Sequence, residues 1–140
     1  MTDPAIGSNR TKLAESEKIT INLGFVDLGQ IDLLVSEGFY SNRTDLIRTA
    51  IRNQLATHGE VLRQAVGRKT LVLGLQQFTA QDLQAVRARG ETLQIRVLGL
   101  AVIADDVTPE LARQTIESIT VLGALHASRD IKAALADRMR

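Results

Sequence analysis

One short stretch, Lys18-Ile19-Thr20-Ile21-Asn22-Leu23, constrains what this chain can fold into more than any other. Ile19, Ile21 and Leu23 alternate with Lys18, Thr20 and Asn22, which is the two-residue period of a half-buried strand. Two helical segments follow it and no second strand lies nearby. A lone strand cannot satisfy its own backbone donors and acceptors, so it needs a partner. The simplest partner is the same strand from a second chain. The ribbon so formed buries its Ile and Leu face and shows Lys, Thr and Asn twice over on the other. A two-stranded ribbon fits the major groove of duplex DNA, where those side chains can read base edges.

The residues after the strand predict two helices with definite ends. Asp27 to Glu37 carries Ile31, Leu34 and Val35 at helical spacing, and Gly38 can take the positive φ that commonly closes a helix. Phe39 and Tyr40 are expected to pack. The second helix opens at Asn42, with Asp45 three positions on, close to a capping box. Leu46, Ile47, Ala50, Ile51 and Leu55 form its apolar stripe. Arg48 and Arg52 share another face, where solvation and phosphate contact are equally open readings. Thr57-His58-Gly59 reads as the exit.

Strand, helix, Gly turn and capped helix amount to roughly 40 residues, too few to bury a core alone, whereas two intertwined copies can. In this pattern residues 17–56 resemble the ribbon-helix-helix DNA-binding proteins of the MetJ, Arc and CopG type. The resemblance is carried by Lys-Ile-Thr-Ile-Asn-Leu, by Gly38, and by Ser41-Asn42-Arg43-Thr44-Asp45-Leu46-Ile47-Arg48. It implies that Lys18, Thr20 and Asn22 reach into the major groove, Lys pairing with guanine and Asn with adenine. It implies that Asn42, Arg43 and Thr44 hold a phosphate at the start of the second helix. It implies a shared dimer core of Ile19, Ile21, Leu23, Ile31, Leu34, Leu46, Ile47 and Ile51. One departure stands out: Gly24 occupies a place where many relatives carry Pro.

Composition narrows the setting. The chain is 44% apolar and only 3% aromatic, which suits one or two small domains rich in aliphatic residues. It contains no cysteine, so a disulfide framework and a thiolate metal site are excluded, and a reducing cytoplasm is the expected home. No apolar run reaches the length of a membrane span, and the N-terminus lacks an apolar signal core. Residues 1–15 are polar and aperiodic and are expected to form a flexible arm. Net charge is +1, and residues 1–60 carry six Lys+Arg against eight Asp+Glu. That is a weak electrostatic footprint for a nucleic-acid binder. Base readout can still work if Lys18 and Arg43 cluster with Arg10 and Lys12 on one surface; affinity per dimer is expected to be modest and strongly salt-dependent, so several dimers bound side by side are needed for tight occupancy.

The second half repeats itself. Val72-Leu73-Gly74-Leu75 recurs as Val97-Leu98-Gly99-Leu100 and again as Val121-Leu122-Gly123-Ala124. Each copy precedes a helical segment: Thr79-Ala80-Gln81-Asp82 is a capping box, Thr108-Pro109 is an N-cap followed by Pro, and Asp130 is the expected cap of the third. A period near 25 residues with one strand and one helix signals a short solenoid. The near-continuous apolar runs Leu71–Leu75, Leu93–Ile103 and Ile119–Leu125 predict parallel strands covered on both faces. A helical reading of Leu93–Ile103 stays open. Three repeats leave free sheet edges that invite a second copy. Leu73, Leu98 and Leu122 are the expected self-association residues.

The expected fold class is therefore α+β. An intertwined ribbon-helix-helix dimer over 16–58 is joined by a linker or helix extension at 59–69 to an α/β repeat unit over 70–140. Only His58 and His126 could serve as imidazole ligands, and they lie far apart, so no metal or other cofactor is expected. His126, beside Leu125 and Ala127, reads as a packed histidine. Asp105-Asp106 reads as turn chemistry before Pro109 rather than acid–base machinery. No phosphate loop and no nucleophile–base pair is evident, so an enzyme is not expected. The leading functional expectation is a DNA-binding transcriptional regulator, a repressor, acting on double-stranded DNA as a homodimer or higher homo-oligomer. Two alternatives remain: an antitoxin whose C-terminal part binds a toxin protein, and a structural self-assembling protein whose ribbon only dimerises.

Overall fold

In the computed structural model, which describes residues 16–140, the helices begin where capping side chains place them. The expected arm, residues 1–15, lies outside the described residues. The elements are α1 (Phe25–Ser36), α2 (Arg43–Thr57), α3 (Gly59–Arg68), β1 (Val72–Phe78), α4 (Ala80–Ala88), β2 (Leu93–Ile103), α5 (Pro109–Thr115), β3 (Ile116–His126), α6 (Arg129–Ala134) and a closing 3-10 turn (Ala136–Arg138). Helix α1 starts two residues earlier than expected, because the Gly24 carbonyl already accepts from the Leu28 N–H at 3.0 Å. It ends in a Schellman motif: Gly38 sits at φ +87°, its N–H donates to Val35, and the Phe39 N–H donates to Leu34. At α4 the capping box is reciprocal, with Asp82 N–H to Thr79 Oγ1 at 3.2 Å and Thr79 N–H to Asp82 Oδ2 at 3.0 Å. At α5, Thr108 accepts from the Leu111 N–H, with Pro109 at the first helical position. The cap of α6 corrects the expectation. Ser128, not Asp130, accepts from the Ile131 N–H, since a cap oxygen must precede the helix and Asp130 already stands in its first turn.

The described chain divides into two compact units, Ser16–Ala65 and Val66–Arg140. The first buries no residue at all: every side chain from Ser16 to Ala65 is exposed or half-buried. Phe39, expected to pack, is 69% exposed, while Tyr40 is half-buried. Lys18–Leu23, expected as a strand, carries no strand ladder among the described residues. In place of a linker, α3 starts directly after His58, the C-cap of α2.

The second unit has a conventional core. Its strands form a parallel sheet in the order β1-β2-β3. Ile95, Val97, Ala101 and Ile103 of β2 and Ile119 of β3 pack with Leu83 of α4, Leu111 and Ala112 of α5, and Ile131 and Leu135 around α6. All of these strand residues point to one face, so the helices cover that face. Among the described residues no helix of the core cluster covers the opposite face, where Val102 is buried but much apolar surface stays open; this corrects the expectation of strands buried on both sides. Leu73, Leu75 and Leu122 are 67%, 58% and 51% exposed there. Covering them would contribute about 3–5 kcal/mol per copy.

The repeated tetrapeptides sit in exact cross-strand register, Gly74 beside Gly99 beside Gly123. The 25- and 24-residue spacings are thus the period of the sheet, while a register shift at Leu93/Gln94, ahead of the glycine row, skips Glu117 of β3. All three glycines have positive φ, +112°, +141° and +122°. A methyl on Gly99 would collide with the Gly74 carbonyl, and one on Gly123 with the Gly99 carbonyl, whereas one on Gly74 meets nothing. One edge of the sheet is partly closed by the chain's own end: Met139 bridges to Ile119, and the Arg140 N–H donates to the Ile119 carbonyl at 2.8 Å. Arg113 holds Asp137 at 3.0 Å and fastens the same segment to α5. Among the described residues, no strand lies beside the outer edge of β1. Two glycine substitutions separate strain from collision. Gly74→Ala is expected to destabilise by about 1–3 kcal/mol through its φ alone. Gly99→Ala is expected to lower the melting temperature clearly further, because the collision adds to the same strain; thermal melts of the two variants compare them directly.

Candidate nucleic-acid interface

The sequence places Lys18, Thr20 and Asn22 on one face of an alternating segment, and all three are exposed in the structure. Their apolar counterparts are exposed as well, Ile19 by 74%, Ile21 by 60% and Leu23 by 38%. The segment is not helical. The other expected core positions are little better protected. Ile31, Leu46 and Ile47 are half-buried, and Leu34 and Ile51 remain exposed.

The start of α2 is built in detail. Asn42 Oδ1 accepts from the Asp45 N–H at 2.8 Å, and Asp45 Oδ2 accepts from the Ser41 N–H at 2.9 Å. The Asn42 side chain is therefore occupied as a cap, so what this corner can offer a phosphate is its backbone N–H groups and the Thr44 hydroxyl. Arg43 is occupied too. Its Nε and one terminal nitrogen donate to the two oxygens of Asp32, each at 2.8 Å, a two-pronged pair tying α2 to α1. Sequence reasoning placed Arg43 at the phosphate site but missed Asp32. The signal available was an acid on the exposed side of α1, eleven residues before the arginine, across a turn whose length Gly38 fixes. Arg48 and Arg52 are exposed on α2 and form no ion pair among the described residues.

The hydrogen bonds from Arg43 lower the Asp32 carboxyl below its ordinary value; desolvation opposes them, and the charge of the guanidinium adds to them. The same pair raises Arg43. Both groups are open to solvent, so the pair serves geometry more than stability. Because the folded Asp32 value is depressed, its contribution is present above the unfolded carboxylate value and disappears as pH falls through the folded one.

The other expected site residues, Leu73, Leu98 and Leu122, occupy a single register row across all three strands. A second row, Leu75, Leu100 and Ala124, lies beside it on the same face and was not anticipated. The repeat itself held the signal, since each tetrapeptide ends on Leu or Ala two positions after its first Leu.

Among the described residues, no helix is long and apolar enough to cross a membrane. In comparison with known proteins, the model of a ribbon-helix-helix transcriptional regulator family matches residues 14–132. No curated protein and no solved structure matches the chain. The α1–α2 clamp yields a direct expectation. By NMR titration, Asp32 ionises below its ordinary carboxylate value, and Arg43→Ala restores that value. Any stability difference between the two chains at neutral pH closes as the solution is acidified through the folded Asp32 range.

Proposed function

Because the chain belongs to the ribbon-helix-helix transcriptional regulator family, we propose that it is a sequence-specific DNA-binding repressor that dimerises through Lys18–Leu23 and assembles further through its C-terminal sheet. Membership brings duplex DNA as the partner and the dimer as the working form. The observation that carries the finer reading is the unit Ser16–Ala65, which buries no residue. Apolar side chains that find no cover within the chain find it in an identical one. Pairing Ile19, Ile21 and Leu23 with their twins satisfies the strand and places them over Ile31, Leu34, Leu46, Ile47 and Ile51 of both copies.

In that dimer Lys18, Thr20 and Asn22 read bases, and the N-terminus of α2, through Thr44 and the free N–H groups beside Asn42, sets the register on phosphates. Arg43 acts from its place on Asp32, holding the two helices at the angle the dimer requires. Residues 16–65 carry five Lys+Arg against six Asp+Glu, so phosphate attraction contributes little and base contacts carry a large share of selectivity. Assembly through Leu73, Leu98 and Leu122 compensates by joining dimers.

The experiment is a gel shift of the full chain on its selected duplex. Lys18→Ala and Asn22→Ala are each expected to weaken the preferred site by about 1–3 kcal/mol and to relax preference at one position per half-site. Sequence preference unchanged in both variants would refute base readout by this segment. Large assemblies forming without DNA, together with no duplex binding, would favour a structural role instead.

A further inference from the structure

We propose that the open face of the C-terminal sheet is covered by the same face of a second copy, Leu73, Leu98 and Leu122 of one packing over Leu75, Leu100 and Ala124 of the other. This inference rests on the self-assembly part of the function proposed above and supplies its geometry. Parallel sheets are characteristically covered on both sides, and here α4, α5 and α6 cover only one. The two leucine rows are flat and adjacent, with three leucines more than half exposed. A patch of that kind on a working surface marks an interaction site.

A second copy is the occupant for three reasons. First, dimers bound side by side on neighbouring half-sites bring a second such face close and raise its effective concentration. Second, the rows are self-complementary, because rotation about a two-fold axis lying across the strands brings one row over the other. Third, the charges at the rim select that rotation. Lys69, Arg96 and Arg140 line a hollow at the end where β2 and β3 begin, with Glu117 as the one acid among them. Arg96 is held there by Thr70 Oγ1 at 2.7 Å and Gln94 Oε1 at 2.8 Å. The other end of the face carries Gln77 and His126. With strands of the two copies running the same way, the cationic ends would coincide and repel. With strands opposed, each cationic end lies over the end of its neighbour that carries Gln77 and His126.

The test uses the full chain and two mutational axes. Ile21→Lys breaks the N-terminal ribbon. By sedimentation velocity, this variant is expected to remain a dimer, and adding Leu73→Lys and Leu122→Lys is expected to raise the dimer dissociation constant by about a hundredfold or more. A monomeric Ile21→Lys chain that has also lost duplex binding would overturn face pairing while upholding the ribbon. A dimeric Ile21→Lys chain that still binds its preferred duplex would uphold face pairing and overturn the ribbon reading. Open-ended, concentration-dependent polymers would point to addition at the free β1 edge and overturn the proposal. Since the chain has no cysteine, cross-linking gives a second readout in an intact ribbon. With a short bismaleimide, the double variant Thr120→Cys, His126→Cys is expected to link two copies, and neither single variant is. A link through Thr120→Cys alone would mean that the strands run the same way, and no link in any of the three would remove the interface.

Discussion

The constraint on which everything else depends is that residues 16–65 contain helices without a core. Local chemistry fixes those helices well. Asn42 caps α2, the Gly38 Schellman motif closes α1, and Asp32 grips Arg43 across the turn between them. None of this removes apolar surface from water, and the hydrophobic term is the dominant force that can offset the entropy of ordering the chain. On the functional reading proposed here a second copy supplies that cover, so that in this unit folding and association are one event. The groups proposed to face the DNA would be created by the same event, because the alternation at Lys18–Leu23 has an inside and an outside only once a second strand is present.

The C-terminal unit solves the opposite problem. Its core is complete, and its remaining demand is a single apolar face. The glycine row shows how register was secured. A one-residue slip of β1 or β3 would place a side chain against the carbonyl that only Gly99 or Gly123 tolerates, and would also turn every strand residue to the wrong face. The tetrapeptide thus specifies pairing twice, by pattern and by steric exclusion. Thr70 marks the entry to this sheet. It takes φ +52° at the end of α3, where its N–H donates to Gly67 and the Leu71 N–H donates to Val66, a Schellman ending with Thr in the place usually given to Gly. Its hydroxyl accepts from Arg96, so the strained residue is anchored to the strand it precedes.

Local features were the most legible in the sequence. Thr79, Thr108 and Asn42 act as the caps their spacing indicates, and three matching tetrapeptides were enough to predict three parallel strands. Asp130 misled because it is a good capping residue two positions too late, while Ser128 has the same chemistry at the right place. What could not be read were contacts between elements that depend on orientation. Asp32 and Arg43 are eleven residues apart, and only the angle set by Gly38 brings them together. The uncovered sheet face was hidden for a related reason: a continuous apolar run reads the same whether its second side is covered by the chain's own helices or left for another molecule.

The weak positive charge of this chain bears on selectivity. Attraction between cations and phosphates is independent of sequence, so a strongly basic regulator is held on random DNA as well as on its operator. Here Arg43 is neutralised by Asp32 and the N-terminal unit is slightly acidic, which reduces that non-specific background along with the affinity. Linking dimers restores occupancy without restoring the background, because two weak contacts reinforce each other only where two suitably spaced half-sites exist. On the functional reading proposed here, the leucine rows of the C-terminal sheet therefore do for this protein what a basic surface does for others. They place the requirement for spacing, rather than charge, in control of where the protein stays bound.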